Sequence, residues 1–172
     1  RTGSRPPGRE SNMNLMMAVE RATLVPTPED DAIELWVTQA LETANRSLSP
    51  SPELSIRITD TDEAAQFNKT YRAKAGATNV LSFPATPPPE THSGLLGDLV
   101  ICAPLVIEEA QTQDKHATAH WAHLVMHGVL HLLGYDHQTA AEAEAMELLE
   151  INALARLGYA NPYDTQTPLG SP

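Results

Sequence analysis

Histidines at positions 127, 131 and 137 hold the clearest chemistry in the chain, within the run His127-Gly128-Val129-Leu130-His131-Leu132-Leu133-Gly134-Tyr135-Asp136-His137. Four residues separate the first two, so a helix there sets both imidazoles on one face, one turn apart. Gly134 is the residue best able to take the left-handed conformation that ends a helix. Beyond it the chain can double back through Tyr135 and Asp136 and bring His137 beside the other two. Three neutral imidazoles on one side of an ion, with the other coordination positions open, is how a catalytic rather than a structural zinc site is built.

The spacing, with glycine between the second and third histidines, is similar to the metzincin protease signature. It departs where that signature carries its glutamate general base, because residue 128 is glycine. The zinc cage is therefore expected without the protease's base, which disfavours peptide hydrolysis by that route. His120, His123, His127 and His131 also form one stripe at helical spacing, with His116 just before it. That makes His123, His127 and His131 a rival ligand set. Three ligands along one straight face converge poorly on a single ion, so His127, His131 and His137 are preferred. His120 and His123 are then expected on the helix's buried side or behind the ligands. A lone histidine on an apolar helix is usually a core residue, but three at metal spacing closed by a glycine point to one bound ion per chain. Zinc is the expected metal, although nickel or copper would suit three imidazoles too.

The elements that must position these side chains fit within 172 residues, enough for one domain with a proper core. The single cysteine, Cys102, excludes an internal disulfide, fits a reducing compartment and lies in an apolar run as a core residue would. No apolar run is long enough to span a membrane and no signal-peptide pattern opens the chain, so a soluble cytoplasmic protein is expected. The formal charge of −11 argues against a nonspecific nucleic-acid coat. Residues 1–12 read as a disordered leader or a cloning remnant, with Met13 the expected start. That leader holds Arg1, Arg5 and Arg9 against Glu10, so the body is more acidic still. A polyanionic substrate would have to be gripped by a few well-placed cations.

Leu15 to Thr23 has the pattern of a half-buried strand. Thr27-Pro28-Glu29-Asp30 reads as a helix start with Thr27 as the capping hydroxyl, and Ile33, Trp36, Val37, Ala40 and Leu41 share one face behind it. Glu53 to Thr59 alternates as a strand, Thr61 to Ala73 as a second helix, and Val80 to Phe83 as a short strand closed by Pro84. The proline-rich stretch Ala85 to Gly94 reads as a surface loop. Gly97 to Ala103 is a buried strand and Pro104 to Gln113 a short helix. Lys115 to Leu133 is the long apolar helix with the first two histidines, and Thr139 to Leu157 a last helix stopped by Gly158. The order βαβαββααα predicts an α+β domain with a small mixed sheet and the metal-bearing central helix packed on it. Residues 13–163 are expected to form that single domain and 164–172 an irregular tail.

A second constellation is Asn68-Lys69-Thr70-Tyr71-Arg72-Ala73-Lys74-Ala75-Gly76-Ala77-Thr78-Asn79-Val80-Leu81-Ser82-Phe83-Pro84. Lys69, Arg72 and Lys74 are three of the chain's few cations. A terminal arginine can hold a phosphate through two donors, while the plainer account is a solvated helix end with basic residues complementing the dipole. These segments, with Leu96-Gly97-Asp98-Leu99-Val100-Ile101 and the run from His127 to His137, closely resemble the YbeY family of bacterial endoribonucleases and rRNA maturation factors. The resemblance extends over about residues 13–163. It implies a zincin-like fold and a zinc-dependent endoribonuclease directed at single-stranded RNA. The implied setting is ribosomal RNA processing, notably the 3′ end of the small-subunit RNA, and ribosome quality control, with the ribosome or a ribosomal subunit as partner. It implies His127, His131 and His137 as metal ligands and Arg72 as the functional arginine. Asn79 stands where many members carry aspartate and receives no catalytic role.

RNA cleavage needs a nucleophile, an offset for charge building on phosphorus, and protonation of the leaving oxygen. A tri-imidazole zinc site and Arg72 on opposite sides of the phosphate would supply the second. The nucleophile stays open between a water activated at the metal and the RNA's own 2′-hydroxyl. Lys69, Lys74 and Ser82 are candidate substrate contacts. Asp136 either orients an imidazole from behind or caps the turn after Gly134, and Asp98 either lines the site or serves a turn. A metallopeptidase without the usual glutamate, and a non-catalytic ribosome-assembly factor with a structural metal, are the competing readings. Oligomeric state is not legible.

Overall fold

Alternate apolar positions make the sheet, and apolar positions three and four apart make the helices that cover it. The computed structural model describes residues 13–45, 50–72, 78–85 and 94–164, with Arg72 described for its backbone alone. In chain order the elements are β1 (Met16–Ala22), α1 (Asp30–Ala44), β2 (Glu53–Thr59), α2 (Thr61–Arg72), β3 (Val80–Pro84), β4 (Leu95–Cys102), α3 (Ala103–Thr112), α4 (Ala117–Leu132) and α5 (Ala140–Arg156). This is the order the sequence pattern predicts. The sheet runs β1-β2-β4-β3, with β1, β2 and β4 parallel and β3 antiparallel along the edge. The fold is α+β with a mixed sheet, as expected.

On β2, Leu54, Ile56 and Ile58 point into the core, where they join Ile33, Trp36 and Val37 from α1 and Leu99 and Ile101 from β4. Cys102 is buried at the end of β4. The helix α4 is apolar on most sides because most sides are covered: it packs against α1, α3, α5, β3 and β4. Hydrophobic residues all round a helix are what such a central position requires.

Both ends of the connection from α4 to α5 are pinned. At the first end the Tyr135 N–H donates to Leu130 O at 3.1 Å and the Gly134 N–H to His131 O at 3.0 Å, with Gly134 at φ +101°. That is the Schellman pattern, which satisfies the orphan carbonyls of the last turn and reverses the chain. At the other end Thr139 Oγ1 accepts the Glu142 N–H at 3.1 Å, and the Glu142 carboxylate accepts the Thr139 N–H at 3.2 Å. This capping box fixes the start of α5. His137 is held between the two.

The start of α1 differs from expectation. The helix begins at Asp30 with Glu29 as N-cap, and no side chain caps it. Thr27 does not cap, because Arg21 Nε claims its hydroxyl at 2.7 Å while another guanidinium nitrogen pairs with Asp30 at 2.7 Å. α4 begins at Ala117 rather than Lys115, whose Nζ instead donates to Pro162 O at 3.3 Å. The proline-rich stretch at 86–93, the leader at 1–12 and the tail from 165 lie outside the described residues. Among the described residues no helix is long and apolar enough to cross a membrane.

Candidate metal centre

α4 supplies His127 and His131 on one face, and the reversal at Gly134 returns His137 to them. The ring centroids of His127 and His131 are 4.6 Å apart, with His137 at 5.8 Å from the first and 5.2 Å from the second. One nitrogen of each ring lies within 4.8 Å of the others. His127 Nε2 and His131 Nε2 face each other at 3.1 Å. His127 Nδ1 is already engaged by Glu150 Oε2 at 2.5 Å, so that nitrogen carries the ring's proton and Nε2 presents a lone pair. Two imidazole nitrogens aimed at one point suit a shared cation between them. Ligands of one zinc at ~2.0–2.1 Å would sit about 3.3 Å apart, close to the separation found. The residues therefore fit a divalent ion.

Burial pushes the His131 imidazole below its ordinary value, and neighbouring His127 and His137 act the same way, keeping it neutral and ready to ligate. His137 is the exposed member, its side chain 57% accessible. In front of the three rings opens a cavity of about 750 Å³, floored by β3 through Val80 and Ser82 and walled by Asn68 of α2 and by Asn79 and Tyr135.

Gly128 is where α4 meets the sheet. A Cβ there would lie 2.9 Å from Leu99 Cδ2 and 3.2 Å from Val80 Cγ2. The absent side chain lets the helix approach closely enough for Ser82 Oγ to donate to Gly128 O at 3.1 Å. The glycine that removes a protease's base is thus also the residue that this contact permits.

The remaining sequence candidates separate. Ser82 lies on the cavity floor, and Lys69 is exposed on α2. Arg72 closes α2, four residues on from Asn68, but its side chain and all of Lys74 lie outside the described residues. Asp136 lines the cavity, where its Oδ1 accepts the His137 backbone N–H at 2.7 Å; the His137 ring nitrogen is 3.9 Å away, beyond hydrogen-bond reach. Asp98 is not beside the imidazoles. Alternation along β4 sends Leu99 towards α4 and Asp98 to the opposite face, where it accepts from Ser55 Oγ of the neighbouring strand. His116 is exposed at the N-cap of α4. The rival set of His123, His127 and His131 does not form, because His123 turns its Nε2 to Glu150 Oε1 at 2.9 Å. His120 Nε2 meets Glu109 Oε1 at 2.9 Å, and Glu109 also accepts from Asn79 Nδ2 at 3.1 Å.

Sequence reasoning missed Glu150, which is fully buried behind His127. Burial by itself would push its carboxyl up, but hydrogen bonds from His123 and His127 outweigh that and hold it at about 2. Tyr163, from the segment after α5, donates its phenol to the same carboxylate; burial and that carboxylate push the phenol up, so it stays protonated. A signal was present. Met146, Glu150, Ala153 and Leu154 fall at i, i+4, i+7 and i+8, so one carboxylate stands on the apolar stripe of α5.

A mixed sheet whose antiparallel edge strand borders a histidine-bearing helix, with a third histidine returned by a glycine turn, defines a zincin-like protein. The family model described as Endoribonuclease YbeY matches residues 20–158. A protein named Endoribonuclease YbeY from Cellvibrio japonicus is 53% identical over 137 residues, covering 80% of this chain and 76% of that one. Its namesakes from Methylococcus capsulatus and Pseudomonas putida are 51% and 52% identical, covering 86% and 87% of this chain and 94% and 93% of their own. A solution structure of a Thermotoga maritima protein shares the fold with TM-score 0.55 at 20% identity, over 89% of this chain and 98% of that one. The chain belongs to the YbeY endoribonuclease family.

Proposed function

We propose that this chain is a zinc-dependent endoribonuclease that cuts single-stranded RNA in the cytoplasm. Its place in this reading is ribosomal RNA processing, including the 3′ end of the small-subunit RNA, and ribosome quality control, with the ribosome or a subunit as partner. The observation that carries it is the convergence of His127, His131 and His137 on an open cavity, in a chain whose relatives are named endoribonucleases. Three protein ligands with the outermost exposed suit a catalytic site, whereas a structural zinc is closed by four. Residues 13–163 form the catalytic unit.

Zinc held by the three histidines would polarise a phosphoryl oxygen and lower the pKa of a bound water. Neutral imidazoles leave its charge undiluted. The Arg72 guanidinium is assigned to the other side of the phosphate, where two parallel donors meet charge that grows in the transition state. Lys69 and Lys74 are assigned to neighbouring phosphates, and Ser82, on the cavity floor, to the substrate. Asp136 fixes the third ligand through its backbone N–H. The same pocket is poor for peptide hydrolysis, because position 128 faces packed Leu99 and Val80 rather than offering a base.

Cleavage of a single-stranded RNA by wild type, Arg72→Ala and Arg72→Lys tests the assignment. Arg72→Ala should lose about 10²–10³ in kcat, the scale seen when one transition-state donor is removed, at unchanged zinc content. Full activity in Arg72→Ala would refute its role. End analysis identifies the attacking group: a 2′,3′-cyclic phosphate for the ribose hydroxyl, a 5′-phosphate for water.

A further inference from the structure

We propose that Glu150 is a positioning residue for the metal centre: its buried carboxylate fixes the proton on His127 Nδ1 and so aims Nε2 at the ion, while His123 and Tyr163 hold the carboxylate in that pose. The inference rests on the metal-site reading above.

α5 carries several acids, and only this one is completely enclosed. Glu142, Glu144 and Glu147 are exposed or half-buried, whereas Glu150 lies among Met146, Ala153 and Leu154 of the core. An enclosed carboxylate is tolerated only where both oxygens are hydrogen-bonded. Here both are. Oε2 takes His127 Nδ1–H at 2.5 Å, and Oε1 takes His123 Nε2–H at 2.9 Å together with the Tyr163 hydroxyl. His123 Nδ1 has no hydrogen-bond partner among the described residues. A bare lone pair there is cheaper than an unpaired N–H, so the His123 ring is placed for what its Nε2 gives to Glu150.

The consequence falls on His127. A free imidazole divides its proton between two nitrogens, and the wrong tautomer presents N–H to the ion. Accepting from Nδ1 removes that tautomer and stops the ring from turning, which makes Nε2 a better donor. His123, His127 and Glu150 could also be taken for a second ion site, since their ligand atoms lie within 4.8 Å of one another. The spacing argues against it. Contacts of 2.5 and 2.9 Å are hydrogen-bond lengths, whereas two ligands of one zinc at ~2.0–2.1 Å stand about 3.3 Å apart. Glu150 is also fully buried behind His127, with the Tyr163 hydroxyl on its Oε1.

Zinc affinity measured by competition with a chromophoric chelator, on full-length wild type, Glu150→Gln, Glu150→Ala and Tyr163→Phe, tests this without any RNA. Glu150→Gln should bind zinc about 10–100-fold more weakly with its helical circular dichroism retained, and Glu150→Ala at least as weakly. Nitrogen-15 shifts of the His127 ring should report an Nδ1–H tautomer in wild type and a mixture in Glu150→Gln. Tyr163→Phe, at a 37% exposed residue that is expected to fold whatever Glu150→Gln does, should weaken zinc by a few-fold. Wild-type affinity in Glu150→Gln, or in Tyr163→Phe should Glu150→Gln not fold, overturns the proposal. So does a wild-type stoichiometry of two ions per chain. A wild type that binds no zinc would instead bring down the metal-site reading itself.

Discussion

Replacing Gly128 by alanine sets two well-measured effects against each other at the closest point between α4 and the sheet. In an open helix the change removes glycine's entropic penalty and stabilises by about 1 kcal/mol. Here the new methyl would stand 2.9 Å from Leu99 Cδ2 and 3.2 Å from Leu99 Cδ1 and Val80 Cγ2. Carbon atoms at ease are ~3.5–4.0 Å apart, and Leu99 is fully buried, so its side chain would have to shift inside a packed core. Inserting one carbon into a filled core costs about 1–3 kcal/mol. The sum favours loss, by ~1 kcal/mol, or about 3 °C in Tm for a domain of this size. Thermal unfolding of the zinc-loaded Gly128→Ala variant, followed by circular dichroism, reads the sign directly. RNA cleavage should fall as well, because pushing α4 from β3 strains the bond from Ser82 to Gly128 O beside His127. A Tm raised by about 3 °C would mean that propensity alone acts and that the close approach is not there.

Gly128→Glu, which restores the residue a peptidase needs, should destabilise further and give no cleavage of a peptide library; chelator-sensitive peptide cleavage would revive that activity. Gly134→Ala meets no clash, since nothing lies within 4 Å, but φ of +101° is foreign to an L-residue. It should lower stability by about 1–2 kcal/mol in urea unfolding and weaken zinc binding as His137 loosens; an unchanged urea midpoint would contradict the turn. Burial lowers the His120 pKa against the opposing pull of Glu109, so the folded state holds this ring neutral while the unfolded chain protonates it near its ordinary 6.5. Its stabilising share is therefore complete above pH 6.5 and is lost as pH falls from there through the folded value. Urea midpoints at pH 7.5 and 5.5 should differ less in His120→Gln than in wild type, and equal slopes would show that burial of this ring sets none of the dependence.

Local rules reached as far as local causes do. His127 and His131 were legible because helix period alone relates them, and His137 because a glycine in the right place ends the helix. The element order followed from alternation in β2 and from the apolar length of α4. Asp98 stands away from the site for the reason alternation gives: with Leu99 facing α4, its neighbour must face the other way. Thr27 has the composition of a cap, but Arg21, from a different element, takes its hydroxyl. Glu150 depends on α5 packing behind α4, a contact between segments more than twenty residues apart. Only its place on an apolar stripe hinted at it. Arg72 stands on family resemblance and on its position at the end of α2.

In the proposed reading, three imidazoles hold the ion on which RNA cleavage depends. Zinc titration of chelator-stripped protein, scored by cleavage of a single-stranded RNA in wild type and His131→Ala, tests it most directly. Wild-type activity should vanish on stripping and return in full at one equivalent of zinc, while His131→Ala should neither retain zinc nor recover. Stripped wild type cutting RNA at its original rate, or His131→Ala matching wild type, would contradict it.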